Sequence, residues 1–219
     1  LVFNLLAFAF GAPPLGMLAA ATVGTWGTAY GVGQVLFKAT PLLLTGLAFH
    51  VALRNGLFNI GTEGQLALGS LAGAWLATKL GALPWPLALP LVLAAAGAVG
   101  AGYSAIAGVM RARLGVHEII SGIMLNRSAD VLLPWLLVAG IGASGLRTED
   151  VAPGARLPGL ERWLGALSGS AVSIAFPLAV LVTFVTYRWL ERSRAGREMR
   201  WVGLNSQACE AQGIDVGRR

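Results

Sequence analysis

Charged residues are scarce in this chain of 219 residues: only 12% are Asp, Glu, Lys or Arg, whereas 56% are hydrophobic. A soluble domain usually carries about 25% charged residues. The polar residues are too few to cover a water-soluble core of this size, and the mean hydropathy of +0.70 is typical of a protein that lies in lipid. We therefore predict an all-α integral membrane protein, a bundle of helices that cross the bilayer several times.

Cysteine and histidine are nearly absent. The single cysteine, Cys209, excludes a disulfide framework and a cysteine-based metal cluster within this sequence. Neither His50 nor His117 has a second histidine or cysteine at the spacing of a metal site. A P-loop, a Ser/His/Asp constellation and a His-Glu-x-x-His motif are also absent. The sequence argues against an enzyme and predicts no metal and no cofactor.

The net charge of +6 does not indicate a nucleic-acid-binding protein. Most arginines lie near the ends of apolar segments, where they set membrane orientation, and no basic stripe is interleaved with aromatic residues. The expected surroundings are the lipid bilayer of the plasma (inner) membrane, with no nucleic acid.

Six apolar segments are candidates for membrane spans, since a spanning helix needs roughly 20 mostly apolar residues. They are 1–20, 41–57, 65–81, 87–110, 119–141 and 171–190. Segment 22–40 is rich in glycine and threonine and is predicted to be interfacial. The excess of arginine in alternate connections fits six spans with both ends in the cytoplasm.

We treat residues 1–219 as one transmembrane domain, expected to be incomplete at both ends. Residues 142–170 form a long Gly/Pro-rich exterior loop, and its stretch 157–164 is predicted to be a short amphipathic helix on the membrane face. Residues 191–219 are predicted to be cytoplasmic.

The first polar cluster, 54–65, places three glycines and several amide or acid side chains between two apolar spans. Irregular backbone at membrane depth is tolerated only where protein or a water-filled cavity satisfies it. The cluster therefore predicts either a broken, re-entrant segment that lines a pathway or an ordinary cytoplasmic turn. Asn59, Glu63 and Gln65 are its candidate pathway residues.

The second cluster, 115–130, contains Glu118 and Ser121 on one predicted helix face, with Asn126 one to two turns further along. We add Ser121 and Asn126 to the candidate pathway residues. Arg127 and Asp130 are spaced i,i+3, so they can neutralise each other near lipid.

The third cluster, 193–214, is a basic amphipathic stretch broken by Gly203, followed by a second short helix from about Ser206. Asn205 is the predicted N-cap of that second helix, and Gly213 its stop. A short helix on the cytoplasmic face suits docking to a soluble partner. A solvated tail is the alternative.

Together, these clusters resemble the permease subunits of ATP-binding-cassette importers, in particular the branch for nucleosides and simple sugars that is related to branched-chain amino acid permeases. The first motif comprises 39–47 and 56–65. The second, 118–126, is similar to the branch's E-V-I-S-T-I-M-L-N element. The third comprises 196–200, 202–205 and 208–214. Departures from the pattern are His117, Arg127, Trp201 and Ser206, and Arg127 puts a cation near the expected pathway.

The resemblance implies the permease subunit of an importer for a neutral polar solute, with a nucleoside favoured over a simple sugar or a branched-chain amino acid. It implies a separate cytoplasmic ATP-binding subunit, a second permease subunit and an extracytoplasmic substrate-binding protein. Residues implied to couple the chain to the ATPase are Gly196, Arg197, Glu198, Arg200, Gly203, Asn205, Ala208 and Gly213. Two alternatives stay open: an ion-coupled transporter or channel that uses Glu63 and Asp130, and a membrane-embedded enzyme.

Overall fold

A computed structural model describes residues 8, 10–11, 13–80, 83–141, 146–214 and 216. These ranges contain helices and turns, with one isolated antiparallel bridge between Gly159 and Ser173. The α-helices in chain order are α1 (Pro14–Trp26), α2 (Ala29–Arg54), α3 (Thr62–Lys79), α4 (Trp85–Leu114), α5 (Glu118–Trp135), α6 (Ala175–Arg192), α7 (Arg194–Leu204) and α8 (Ser206–Ala211). The predicted all-α membrane bundle is confirmed.

Three of the described helices are long and apolar enough to cross a membrane. They are α2, α4, and α5 together with the π-helical turn Leu136–Gly140 that extends it. The predicted spans 87–110 and 119–141 coincide with α4 and the extended α5. Segments 65–81 and 171–190 form α3 and α6, but these do not meet the same criterion, and the six-span layout stays a prediction.

The boundary between segments 22–40 and 41–57 is wrong. The structure has one continuous helix, α2, from Ala29 to Arg54, with Pro41 inside it. Glycine and proline are more frequent in membrane helices than in soluble ones, so the composition of 22–40 did not indicate an interruption. Of the predicted span 1–20, residues 1–7, 9 and 12 lie outside the described residues, and α1 begins only at Pro14.

The chain divides into two compact units by backbone contacts. One comprises residues 1–43 and 157–182. The other comprises residues 44–156 and 183–219, and it contains every predicted pathway and coupling residue.

In the second unit, α3 and α4 pack at close range because small residues face each other. A methyl group added to Gly69 would lie 2.8 Å from the carbonyl oxygen of Ala96, and one added to Gly73 would lie 3.2 Å from the Ala96 Cβ. Small residues let membrane helices approach closely and gain van der Waals contact. On α5, the Leu125 carbonyl accepts a hydrogen bond of 2.7 Å from the Tyr103 hydroxyl on α4.

In the first unit, the predicted amphipathic helix at 157–164 is wrong. Only a single 3₁₀ turn, Leu160–Arg162, forms there. The Leu160 N–H donates to the Val172 carbonyl at 3.0 Å, and the Ile174 N–H donates to the Pro158 carbonyl at 3.1 Å. The second of these bonds occupies the Pro158 carbonyl, which a helix over 157–164 would use within itself.

Candidate functional site

The link between α2 and α3 is a sharp, hydrogen-bonded turn. Gly56 has φ +72°, a left-handed conformation that glycine adopts without steric cost. Its N–H donates to the Leu53 carbonyl at 2.9 Å, and the Leu57 N–H donates to the Ala52 carbonyl at 3.1 Å. These two bonds form a Schellman cap that ends α2. Residues 55–61 then run without helical structure to the start of α3.

Asn126 of α5 holds this link through two backbone contacts. Its Oδ1 accepts a hydrogen bond of 3.0 Å from the Gly64 N–H, and its Nδ2 donates one of 2.9 Å to the Ile60 carbonyl. Gly64 lies in the first turn of α3, where N–H groups have no partner within the helix. Because the N-cap residue Gly61 has no side chain to supply, Asn126 caps α3 from another helix.

Asn59 and Gln65 face each other across the same link. The Gln65 Nε2 donates to the Asn59 Oδ1 at 2.9 Å, and the Asn59 Nδ2 donates to the Gln65 Oε1 at 3.3 Å. Both side chains are half-buried. We call Asn59, Gln65 and Asn126, with the backbone of Ile60 and Gly64, the amide junction.

The remaining predicted pathway residues lie beside this junction. Ser121 is buried, and its hydroxyl donates to the Glu118 carbonyl at 3.1 Å. The next residue, Gly122, packs against the link, since a methyl group added to it would lie 3.0 Å from the Gly61 nitrogen. Glu63 is exposed. The structure therefore brings Asn59, Gln65 and Asn126 together, and places Glu63 on the surface of α3.

Helix α7 begins at a tight corner after α6. The Ser193 Oγ accepts a hydrogen bond of 2.9 Å from the Gly196 N–H and caps the helix. Gly196 lies directly against the Leu190 backbone, which leaves no room for a side chain there. Glu198 is buried, and its Oε1 accepts from the Arg194 Nε at 2.7 Å. Arg197 donates to the Arg192 carbonyl at 2.9 Å, and Arg200 is exposed.

The break between α7 and α8 lies at Asn205 and not at Gly203, which belongs to the last turn of α7. The predicted N-cap is confirmed, because the Asn205 Oδ1 accepts from the Ala208 N–H at 3.0 Å. Ala208 therefore lies in the first turn of α8. The predicted stop is also confirmed: Gly213 has φ +79°, and its N–H donates to the Glu210 carbonyl at 2.9 Å.

Gly203 touches the turn that ends α2. A methyl group added to Gly203 would lie 2.8 Å from the Gly56 nitrogen and 3.0 Å from the carbonyl carbon of Asn55, and closer still to the Arg54 carbonyl oxygen. Beside this contact, Arg54 forms an ion pair with Glu191, near the end of α6. The third sequence cluster thus packs directly on the first.

The sequence analysis missed the Arg54–Glu191 pair and the packing of Gly203 on Gly56. A weak indication was available, since Arg54 and Glu191 each lie in the last turn of an apolar helix. Charges at such positions indicate helix ends that share one membrane face. Which helix ends lie next to each other depends on how the helices pack.

The chain is similar in sequence to several ABC transporter permease proteins. It is 35% identical over 234 residues to the glucose ABC transporter permease protein of Haloferax volcanii, covering 94% of this chain and 61% of that protein. It is 34% identical over 195 residues to the guanosine ABC transporter permease protein of Bacillus subtilis, covering 88% of this chain and 55% of that protein. It is 29% identical over 216 residues to the nucleoside ABC transporter permease protein of Lactococcus lactis subsp. cremoris, covering 96% of this chain and 59% of that protein.

The chain spans between 55% and 61% of the length of these three relatives. No solved structure shows a significant match to it. The family profile described as "Branched-chain amino acid transport system / permease component" matches residues 31–218. The chain therefore belongs to this permease family, and it is a multi-pass protein of the plasma membrane.

Proposed function

We propose that this chain is the membrane-spanning subunit of an ABC importer that carries a neutral polar solute, with a nucleoside as the favoured substrate. The family match over residues 31–218 is the observation that carries the proposal. Two of the three relatives described above are named for guanosine or nucleosides. The third is named for glucose, so a simple sugar is the second candidate, and the family description adds branched-chain amino acids as a third.

Residues 191–219 are proposed to be the segment on which a separate ATP-binding subunit acts. This chain has no P-loop, so ATP hydrolysis is assigned to that partner. The exposed side chains of Arg197 and Arg200 are available for docking. The ion pair of the buried Glu198 with the exposed Arg194, and the caps at Ser193, Asn205 and Gly213, would instead keep α7 and α8 rigid enough to transmit a displacement.

The packing supplies a route from this segment to the amide junction. The C-terminal turn of α7 contacts the backbone of Arg54 and Gly56 through Gly203. Five residues after Gly56, the link reaches Gly61, where it packs on Gly122 of α5. A displacement of α7 would move the link and change the distance between α3 and α5 around Asn59, Gln65 and Asn126. We assign the solute pathway to this region, with Ser121 and Glu63 beside it.

The other proposed partners are a second permease subunit, and a substrate-binding protein that would meet the exterior loop 142–170. An ion-coupled transporter or channel stays the alternative class. It would use intramembrane acids such as Glu63 and Asp130 to couple transport to an ion gradient.

The test is uptake of radiolabelled guanosine, uridine, ribose and glucose into vesicles. The vesicles contain the full-length protein that includes this chain, together with its ATPase and its substrate-binding protein. We expect saturable uptake of a nucleoside that requires ATP and that persists when ionophores collapse proton and sodium gradients. Uptake that follows an ion gradient and ignores ATP would contradict the importer assignment. Asn59→Ala and Gln65→Ala test the pathway, and unchanged affinity and rate in both would exclude that role.

A further inference from the structure

Arg127 and Asp130 lie at the middle of a membrane-spanning helix. The span runs from Glu118 to Gly140. At 1.5 Å per residue, Arg127 is about 14 Å from the first end and Asp130 about 15 Å from the last. The Arg127 Nη1 donates to the Asp130 Oδ2 at 2.8 Å. The two charges therefore form a pair near the middle of this candidate span.

Both side chains of this pair are largely exposed on the surface of the chain. Arg127 is 75% exposed and Asp130 50% exposed. A guanidinium carries five N–H groups, and the bond to Asp130 uses one of them. In hydrocarbon, each unsatisfied polar group costs several kcal/mol. Charged residues within membrane spans almost always face the bundle interior or a water-filled cavity, so we expect the pair itself to face one of these and not lipid.

Helix α4 provides a comparison within the same unit. Its only charged residues are Arg111 and Arg113, which lie in the last turn. Exposed apolar side chains such as Val99 and Ile106 occupy the middle of α4, as expected for a surface in contact with lipid. Of α4 and α5, only α5 carries charged residues at mid-span.

The pair has a chemistry that suits a hydroxyl-rich neutral solute. Its net charge is zero, so it does not require a counter-ion and does not select for an anion or a cation. The carboxylate of Asp130 can accept hydrogen bonds from two neighbouring hydroxyl groups, and the free N–H groups of Arg127 can donate to carbonyl or ether oxygens. A site that hydrogen-bonds a substrate hydroxyl discriminates strongly against an analogue that lacks it.

We propose that Arg127 and Asp130 form a solute-contacting site that determines specificity on a water-filled face of α5, with Asp130 accepting hydrogen bonds from the hydroxyl groups of a sugar moiety. This inference rests on the proposed importer function. The sugar moiety is the part that a nucleoside shares with a simple sugar, so the site serves either substrate class.

Water access is tested first, because it does not depend on transport. In the full-length protein with every native cysteine replaced by serine, Cys209 included, Val131→Cys places a thiol beside the pair. Val131 is 72% exposed and apolar, and the substitution leaves Arg127 and Asp130 intact. Val99→Cys on α4 is the matched control. We expect a charged methanethiosulfonate reagent to label Val131→Cys and not Val99→Cys, and the transported solute to slow the labelling several-fold. An unlabelled Val131→Cys would overturn the site.

Specificity is tested second. The double variant Arg127→Gln/Asp130→Asn removes both charges together and keeps the side chains close in size, so neither charge is left alone in the membrane. We expect the KM for a ribonucleoside to rise by about tenfold, equivalent to 1.4 kcal/mol. The ratio of this KM to that of the 2′,3′-dideoxy analogue should move toward one, a change that a merely structural role would not produce. An unchanged ratio would overturn the site.

The two proposals fail in different ways. If the wild-type complex takes up nucleosides with ATP while Val131→Cys stays unlabelled, only the site is wrong. If the wild-type complex shows no ATP-driven uptake of any nucleoside or sugar, the importer function is wrong, and the solute assignment of the pair is wrong with it.

Discussion

The Oδ1 of Asn126 lies 3.0 Å from the Gly64 nitrogen, so a side chain on α5 caps the first turn of α3. The other end of the same amide donates to the Ile60 carbonyl at 2.9 Å. One residue thereby satisfies a donor and an acceptor on either side of the helix start. The α2–α3 link is held in place by α5 as well as by its own turn.

Asn126→Ala is expected to destabilise the protein by about 1–3 kcal/mol, because it leaves the Gly64 N–H and the Ile60 carbonyl without this partner in a buried site. Thermal unfolding in detergent measures the effect. Ser128→Ala is the control: Ser128 is exposed, and its hydroxyl donates to the Met124 carbonyl within α5. Equal melting temperatures for Asn126→Ala and wild type would contradict the capping role.

Asn59 and Gln65 are expected to act as one unit. Their amides exchange two hydrogen bonds, so the loss of either side chain removes both contacts. In a double-mutant cycle of Asn59→Ala and Gln65→Ala, we expect a coupling free energy of unfolding of about 0.5–3 kcal/mol. Additive effects of the two substitutions would show that the pair does not hold the link.

Gly203→Ala is expected to uncouple ATP hydrolysis from transport while membrane insertion stays normal. Its methyl group would overlap the backbone of Arg54 and Gly56, and such overpacking typically costs about 1–3 kcal/mol. The measurement is ATPase activity stimulated by the loaded binding protein. Gly108→Ala is the matched control, because a methyl group there meets nothing within 4 Å. Full stimulation in Gly203→Ala would argue against the proposed route.

Arg197→Glu tests docking at an exposed side chain of α7. The Arg197 side chain is exposed, and within the chain its Nη1 donates to the Arg192 carbonyl at the corner before α7. We expect the reversed charge to reduce co-purification of the ATP-binding subunit. Glu210→Gln, an exposed charge change on α8, is the comparison. If the ATP-binding subunit co-purifies with Arg197→Glu as it does with wild type, Arg197 is not part of the docking surface.

The Arg54–Glu191 ion pair predicts charge-swap rescue. Glu191→Arg should destabilise the protein by about 1–3 kcal/mol, less than the ~3–5 kcal/mol of a fully buried pair, because these side chains are 18% and 35% exposed. Arg54→Glu combined with Glu191→Arg should recover much of the loss. The readout is the melting temperature. A double variant that is less stable than both single variants would contradict a direct pairing.

Some of these features were predictable from the sequence because they depend on neighbours along the chain. Asn205 and Gly213 cap α8 through bonds to residues three positions away. Arg127 and Asp130 pair within one helical turn. In the same way, the apolar runs at 87–110 and 119–141 marked α4 and the extended α5.

Other features could not be predicted because they depend on which segments meet. Residues 22–40 and 157–164 had misleading local composition: the first continues into α2, and the second is tied by backbone bonds to residues 172–174. The partners of Asn126 lie 62 and 66 residues away along the chain, so no local pattern indicates them.

The sequence by itself determined the membrane class of this protein, its helical content and the residues that resemble a permease, because burial in lipid and helix capping depend on composition and short-range spacing. Only the tertiary structure decided that the first and second clusters share the amide junction and that Gly203 packs against the turn at Gly56. The physical reason is that the presence of Asn, Gln or Gly in a sequence does not indicate which groups the residue will contact. Their roles follow from the groups that packing brings within hydrogen-bond or van der Waals distance.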